Sequence, residues 1–256
     1  MALAIGEQRN VPSGFGNVLG GAVVPAQGIH EESSTQKHPL GTRLQLGDRV
    51  YHYAYTSETL SAGKLACSLN TIFTDALANT AHPVGTKSVS INASAAIAVN
   101  QLVDGYVVIK SGTGAGEFYK IKSNPAIDSG ANGTIVLYDG LVTAWSTSDT
   151  KLTYEVSMFR LQEHNTGSVE QVIGVPNVAI TDEYFFWAQT WGPCSVLMAG
   201  ADGAAIGERD LVASTGTVGA VEKSDAVGRQ VVANMMTDAA DNANAEYSLV
   251  YLKLIP

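Results

Sequence analysis

Charged residues are scarce in this chain. They make up 15% of its 256 residues, against about 25% in typical globular domains, and Lys and Arg form no run. The formal net charge is −9, whereas a sequence-independent nucleic-acid binder needs clustered cations to displace counterions from phosphates. We therefore expect no nucleic-acid partner and no attraction to anionic membrane surfaces.

Cysteine is nearly absent. Cys67 and Cys194 lie far apart and belong to no CxxC or Cys/His cluster, so neither a disulfide framework nor a zinc site is expected. Residues 1–10 contain Glu7 and Arg9 and no apolar run of signal-peptide length, and no stretch approaches the ~18 apolar residues of a membrane helix. These features predict a protein made in the cytoplasm, without membrane contact and with two separate reduced thiols.

The common catalytic and ligand-binding motifs are missing. The sequence has no GxSxG elbow, GxxxxGK[ST] loop, HExxH pair or EF-hand loop. His52 lies between two tyrosines on a predicted strand, a context more typical of a packed residue than of a general base. Four polar residues near the N-terminus would need a fixed geometry to hold a metal, and we expect them to be solvated: His30, Glu31, Glu32 and His38. We predict no catalytic, cofactor-binding or metal-binding residue and no enzymatic activity.

Short β-strands are the main positive signal. Hydrophobic residues make up 45% of the chain, enough for a buried core. The segment 40–55 predicts a strand, a Gly-Asp turn and a second strand. From Thr86 onward, short apolar or alternating runs are separated by Gly-, Ser- and Asp-rich turns. These runs are SVSIN, YVVIK, EFYKIK, TIVLYD, KLTYEV, VEQVIGV, EYFFWAQTW, SVLMAG, DLVAS, GAVE, RQVVANM and YSLVYLKLI.

The spacing of these strands predicts a mainly β protein with two β-barrel or sandwich-like units and at most one short helix. The helix would lie within 57–79, where apolar residues recur at helical spacing, although a strand suits 71–74 equally well. The stretch FRLQEHNTGS interrupts the strand pattern, so we place a boundary near 156–168. The predicted domains are an extended N-terminal arm at 1–40, a β-rich domain at 41–156 and a C-terminal β-barrel domain at 157–256.

Within the arm, residues 13–28 are rich in glycine and follow neither a helical nor a strand period. Such a segment cannot bury enough apolar surface to fold alone. A flexible leader is one interpretation. The other is an arm that becomes ordered on a neighbouring subunit, with an apolar contact surface formed by Phe15, Val18, Leu19, Val23 and Val24.

The densest cluster of large side chains is EYFFWAQTWGPC at 183–194. On a strand, Tyr184 and Phe186 would face one way, and Phe185, Trp187 and Trp191 the other. Aromatic residues on both faces indicate that both faces are covered. One face must be a core, while the other is a second layer, a subunit contact or a ligand groove. Trp187 and Trp191 are therefore candidate interface residues, and burial within their own domain is the alternative.

Five segments carry a family resemblance: HPLGTRLQLGDRVYHYAYTSETLSAGKLA (38–66), QLVDGYVVIKSGTGAGEFYKIKSNPA (101–126), TIVLYDGL (134–141), EYFFWAQTWGPCSVLMAG (183–200) and VGAVEKSDAVGRQVVANM (218–235). In this order along the chain they resemble the capsid decoration (cement) and structural proteins of tailed bacteriophages. The resemblance implies a homotrimer or homodimer on the outer surface of the expanded icosahedral head. There it would bind the major capsid protein and stabilise the shell without catalysis, with an extended N-terminal segment clamping capsid subunits.

Three other functions compete with decoration. A tail or spike protein that binds host glycans would use exposed aromatic rings such as Trp187 or Trp191 for stacking. A glycan esterase or depolymerase would need a nucleophile or a carboxylate pair, and neither pattern is evident in the sequence. A head–tail joining or scaffolding-type assembly factor would differ from a decoration protein in copy number, with about a dozen copies in place of hundreds.

Overall fold

The structure is a computed structural model that describes residues 27–69, 72–78, 80–166, 170–199, 210–224, 229–236 and 245–256, with the backbone alone at 72–77. These residues form sixteen strands and no helix, so the prediction of a mainly β protein is confirmed. No helix among them is long and apolar enough to cross a membrane.

The described chain divides into two compact units. One combines the described parts of Met1–Ser68 and Phe159–Pro256, and the other is Leu69–Met158. We call them the split unit and the inserted unit. The predicted boundary near 156–168 coincides with one junction, but the predicted domain at 41–156 combines strands of both units. Local patterns reveal that a strand exists, but its partner depends on residues far away in sequence.

The split unit is a mixed sheet of ten strands. In order along the sheet they are β1 (Arg43–Leu46), β2 (Arg49–Thr56), β10 (Arg160–Glu163), β3 (Ala66–Ser68), β11 (Val172–Pro176), β12 (Phe185–Leu197), β16 (Tyr247–Lys253), β15 (Val231–Met235), β13 (Asp210–Ala213) and β14 (Val221–Lys223). Strand β10 lies within the stretch where we expected an interruption, and it pairs in parallel with β2.

Five of these strands close into a ring. Strand β12 pairs with its sheet neighbour β11 and also with β2, which lies four strands away in the sheet order. This second pairing closes a small barrel that consists of β2, β10, β3, β11 and β12. Each strand of the ring contributes to one buried cluster, through Ala54, Leu161, Ala66, Ile173 and Phe186, respectively. Small alanine side chains suit the narrow interior of a five-stranded barrel.

The β1–β2 hairpin forms at the predicted Gly-Asp turn. Leu46 pairs with Arg49, so the loop has two residues, and Gly47 at its first position has a φ of 62°. Glycine adopts that conformation without steric cost, which is why it is favoured there in tight hairpins. The hairpin fixes the register of β2. The tyrosines of β2 alternate with residues that face the barrel interior.

The first part of β12 is covered on both faces, as predicted for the strand, whereas Trp191, Pro193 and Ser195 of its second part are partly or fully exposed. Phe186 and Ala188 point into the barrel, whereas Trp187 packs on the opposite side with Tyr51 and Tyr53 of β2. The first part of β12 pairs with β2 and its second part with β16. Beyond the barrel, a further buried cluster joins the second part of β12 to β13, β15 and β16.

The inserted unit is an antiparallel sheet of six strands. In order along the sheet they are β4 (Ile72–Leu77), β9 (Lys151–Glu155), β6 (Tyr106–Ser111), β7 (Phe118–Ser123), β8 (Asn132–Leu137) and β5 (Ser88–Asn92). The described residues of 57–79 contain no helix, and β3 and β4 lie within that segment. Leu152, Tyr154 and Val156 face the core, as the alternation in β9 predicts. Strands β5 to β9 all contribute to this core, and Tyr154 Oη donates to the Asn92 carbonyl at 2.7 Å, so the sheet curls around it.

The last part of the predicted N-terminal arm packs against the split unit. Gln27, Ile29, His38 and Leu40 are buried, and Ser33 forms a two-way backbone bridge with Phe185. The expectation of an extended arm over the whole of 1–40 is therefore wrong for 27–40. The segment forms no regular strand, and its buried side chains are isolated ones. Its sequence therefore shows no regular apolar period. The arm residues Phe15, Val18, Leu19, Val23 and Val24 lie outside the described residues.

Candidate functional site

Trp187 is part of a core layer. It is 3% exposed, and its indole Nε1 donates to the Gln27 carbonyl at 2.9 Å. The ring packs edge-on against Tyr53 at 5.0 Å, and Tyr53 Oη donates to Gln27 Oε1 at 2.7 Å. This tryptophan holds residues 27–40 onto β2 and β12, and its ring is not accessible for stacking against a glycan.

Trp191 lies on the outer side of the split unit. Its ring contacts Tyr251 of β16 edge-on at 5.9 Å between centroids. Tyr247 and Leu249 of the same strand are 52% and 44% exposed, and Pro193 of β12 is opposite Tyr251. We call this half-exposed apolar face the Trp191 surface. Its apolar residues are Trp191, Pro193, Tyr247, Leu249 and Tyr251, and the exposed Ser195 and Lys253 occupy the remaining positions of the same face.

Two glycines shape this surface. Gly192 has a φ of 88°, and a Cβ there would meet the Asp48 carbonyl oxygen at 2.1 Å, so β12 passes close to the β1–β2 turn only because this residue has no side chain. At Gly63, with a φ of 71°, a Cβ would lie 2.7 Å from Tyr247 Cε1. The ring of Tyr247 therefore rests directly on the Gly63 backbone, where a larger residue would displace it.

A cavity of about 510 Å³ opens beside the Trp191 surface. Tyr247, Leu249 and Pro193 form its apolar wall, and Arg49 and His30 lie on the polar side. The Arg49 guanidinium sits 5.8 Å from the centroid of the Tyr51 ring. A pocket of this size with mixed lining accepts a side chain or a small ligand that combines an apolar body with a polar or anionic end.

The floor of the cavity is a hydrogen-bonded amide pair. Gln189 Nε2 donates to the carbonyls of Pro193 at 2.7 Å and Trp191 at 3.2 Å. Asn177 Nδ2 donates to Gln189 Oε1 and to Tyr51 Oη, both at 3.3 Å. These bonds fix the edge of β12 that carries the Trp191 surface, so the cavity is preformed.

The thiol in the cavity is unsuited to nucleophilic attack. Burial raises the pKa of Cys194 to about 12, although Arg49 opposes the shift, so little thiolate exists at neutral pH. Cys194 and Cys67 are both buried, and no disulfide joins them. The arrangement of this site is suited to binding.

Three of the four polar residues near the N-terminus have structural contacts, and the fourth, His30, is exposed. Glu31 accepts from the Gly28 amide, and Glu32 accepts from both the amide and the hydroxyl of Thr181. His38 is buried against Tyr53 and Trp187, contrary to the expectation that it is solvated. Within the described ranges, no group of three or more His, Cys, Asp or Glu residues could hold a metal ion.

His52 packs in the split unit, as expected for a strand residue. It is 5% exposed, its Nδ1 lies 3.0 Å from Thr190 Oγ1, and its ring stacks on Phe159. Burial, with a smaller effect from Arg43, lowers the pKa of His52 from 6.5 to about 4. The neutral form is therefore the one that the fold accommodates.

This lowered pKa predicts an acid-sensitive fold. Because the unfolded state binds the His52 proton more tightly, the stabilisation is complete above pH 6.5 and is lost as the pH falls towards 4. The loss amounts to about 3 kcal/mol from this group. In the variant His52→Gln, which does not titrate, the free energy of unfolding should decline less over this range in denaturant titrations. Parallel curves for the two proteins would show that His52 does not contribute.

Comparisons with protein-family models, curated proteins and solved structures found no match to this chain. The resemblance to decoration proteins therefore stays a prediction. Sequence reasoning selected Trp191 but missed Tyr247, Leu249 and Tyr251. The available signal was that these three residues occupy every second position of YSLVYLKLI and so share one face of a strand. The sequence does not reveal which face is exposed, because Ser248, Val250 and Leu252 form an equally plausible outer face.

Proposed function

We propose that this chain is a non-catalytic decoration protein of a tailed-phage head. In this proposal, it is made in the host cytoplasm and binds the outer surface of the expanded capsid. Its partners are the major capsid protein and other copies of itself in a homotrimer or homodimer, and it needs no cofactor. The observation that carries the proposal is the Trp191 surface, an exposed aromatic and aliphatic face beside a preformed cavity.

The chemistry of the Trp191 surface supports a protein partner. Exposed apolar faces rimmed by polar residues are typical of protein–protein contacts, and Trp and Tyr are enriched among residues that dominate binding energy. The cavity would receive a single anchoring side chain from the partner, with Arg49 beside its polar end. Two of the segments that carry the resemblance, 38–66 and 183–200, contain β2 and β12, which are two of the five barrel strands that support this face.

Binding alone would account for stabilisation of the shell. A protein that binds only the mature capsid lowers its free energy by RT ln(1 + [L]/Kd) at each site, summed over many copies. An oligomer that contacts several capsid subunits also gains from effective concentration. No covalent chemistry is needed.

Co-sedimentation with expanded heads that lack this protein tests the proposal. We expect saturable binding at hundreds of copies per head and an increase in the temperature at which the heads rupture. Absence of binding to such heads would refute the proposal. About a dozen bound copies would instead favour a joining role.

The variant Leu249→Asp tests whether the Trp191 surface is the contact. A carboxylate at this exposed position should weaken head binding by about tenfold or more, because it must be desolvated in the contact. The matched control is Val99→Asp, an equally drastic change at an exposed residue of the inserted unit. Both variants should keep the wild-type melting temperature. Equal head binding by the two variants would show that the capsid contact lies elsewhere.

A further inference from the structure

The outer face of the inserted unit carries three exposed aromatic rings. Tyr106 on β6 and Phe118 on β7 are in edge-on contact, with 5.9 Å between centroids, and Phe118 is 66% exposed. Tyr138 directly follows β8, and its amide bonds to the Lys120 carbonyl. Val107, Ile109, Tyr119 and Ile121, which alternate with the outward residues of β6 and β7, are buried. These three rings therefore lie outside the core and contribute little to it.

Lys120 separates two of these rings and is held in place. It is opposite Tyr106 in the β6–β7 ladder, and its Nζ lies 3.4 Å from Oδ1 of the buried Asp104 and 5.9 Å from the centroid of the Tyr138 ring. Tyr138 Oη is 3.3 Å from the same Asp104 oxygen. Tyr106 and Tyr138 are thus two strands apart, about 10 Å at the usual strand spacing, close to the length of a disaccharide.

This face, which we call the lysine-rich face, is basic, although the chain as a whole is acidic. The outward positions of β5 to β9 carry four lysines, namely Lys110, Lys120, Lys122 and Lys151. The carboxylates beside them are two, Glu155 on β9 and the buried Asp104 that pairs with Lys120. The whole chain has a net charge of −9. The face therefore attracts an anionic partner that the rest of the surface repels. The lack of any Lys or Arg run in the sequence concealed it, because the four lysines come together only through strand pairing.

We propose that this face binds an acidic polysaccharide. The C–H faces of pyranose rings pack against aromatic rings such as Tyr106, Phe118 and Tyr138. Lys122 would pair with a carboxylate of the sugar while Lys120 stays paired with Asp104. Glu155, opposite Tyr106 on β9, would accept from the hydroxyl groups of the sugar. A carboxylate within the face disfavours a nucleic acid, whose phosphates line the whole strand at high density. The separation of the rings by lysine disfavours a continuous apolar protein contact.

This activity does not rest on head binding, since it belongs to the other unit. Glycan binding would allow the protein to adhere to acidic glycans both when it is bound to a head and when it is free of heads. The two activities are separable by variants, because the Trp191 surface and the lysine-rich face share no residue.

Affinity electrophoresis of the full-length chain tests the proposal, with polygalacturonate, dextran or oligothymidylate in the gel. We expect retardation by polygalacturonate that weakens as salt is added, and none by dextran or oligothymidylate. The double variant Tyr106→Ala/Phe118→Ala should raise the Kd for polygalacturonate by about tenfold. Lys122→Gln should raise it by a smaller factor. The control Val99→Ala changes an exposed residue outside this face and should bind as wild type.

Each other outcome overturns the proposal. Without retardation of the wild-type chain, the face is not a glycan site. Equal retardation by dextran would show that the lysines do not contribute to binding. Retardation by oligothymidylate alone would show that the face is a nucleic-acid site. All variants should keep the wild-type melting temperature and head binding. Loss of head binding in the double variant would instead mark this face as a capsid contact.

Discussion

Replacing Trp187 by alanine should destabilise the split unit by about 3–5 kcal/mol, the range for a large aromatic residue removed from a core. The variant loses the packing with Tyr53 and leaves the Gln27 carbonyl without its indole donor. In a unit of this size the melting temperature should fall by roughly 10 °C. Thermal unfolding followed by near-ultraviolet circular dichroism would measure the shift, since the environment of the aromatic rings changes directly.

Trp191→Ala is the matched control, because it removes the same side chain from the same strand. Trp191 is only partly buried on the outer face, so we expect a loss of about 1–2 kcal/mol. Head binding should show the opposite order, with a weakening of about tenfold or more for Trp191→Ala. Equal thermal shifts in the two variants would contradict the assignment of one tryptophan to the core and the other to the surface.

Deleting residues 1–38 should destabilise the split unit by several kcal/mol. The deletion removes Gln27, Ile29 and His38 from the layer over Tyr53 and Trp187, and it exposes these aromatic rings to water. We therefore expect a lower melting temperature and a tendency to aggregate, measured by calorimetry and light scattering. A truncated chain that is folded and as stable as the full chain would show that 27–38 contribute nothing to the core.

A deletion of residues 1–26 is the proper test of the N-terminal arm, because it stops before the first described residue. If the arm clamps capsid subunits, this variant should lose head binding while it keeps the wild-type melting temperature. Undiminished head binding would refute the arm hypothesis. Comparing the two deletions separates loss of a contact from loss of the fold, which the longer deletion alone cannot do.

The insertion of one unit into the other explains why the predicted domain boundary was only half right. The second junction, near Phe159, follows the end of the β9 pattern and was visible in the sequence. The first junction, after Ser68, falls between β3 and β4, and the two strands look alike in sequence although they belong to different sheets. A linear scan cannot detect that β3 pairs with β10 and β11, nearly a hundred residues further along the chain.

The candidate sites were less predictable than the fold. Trp191 stood out because tryptophan is rare in this chain and clustered at 183–194. The cavity beside it depends on a close passage of β12 at Gly192, on the packing of Tyr247 over Gly63 and on residues from six separate segments. The lysine-rich face likewise depends on the pairing of β6, β7 and β9.

The sequence by itself determined the strand content, the positions of tight turns and the inward face of strands such as β9. These properties depend on the backbone preferences of neighbouring residues and on a period of two, which are local. Only the tertiary structure decided that β12 closes a barrel with β2, that Trp187 is core while Trp191 is surface, and that residues 27–40 are part of the split unit. Those outcomes depend on which distant surfaces bury the most apolar area together, and no short window of sequence contains both partners.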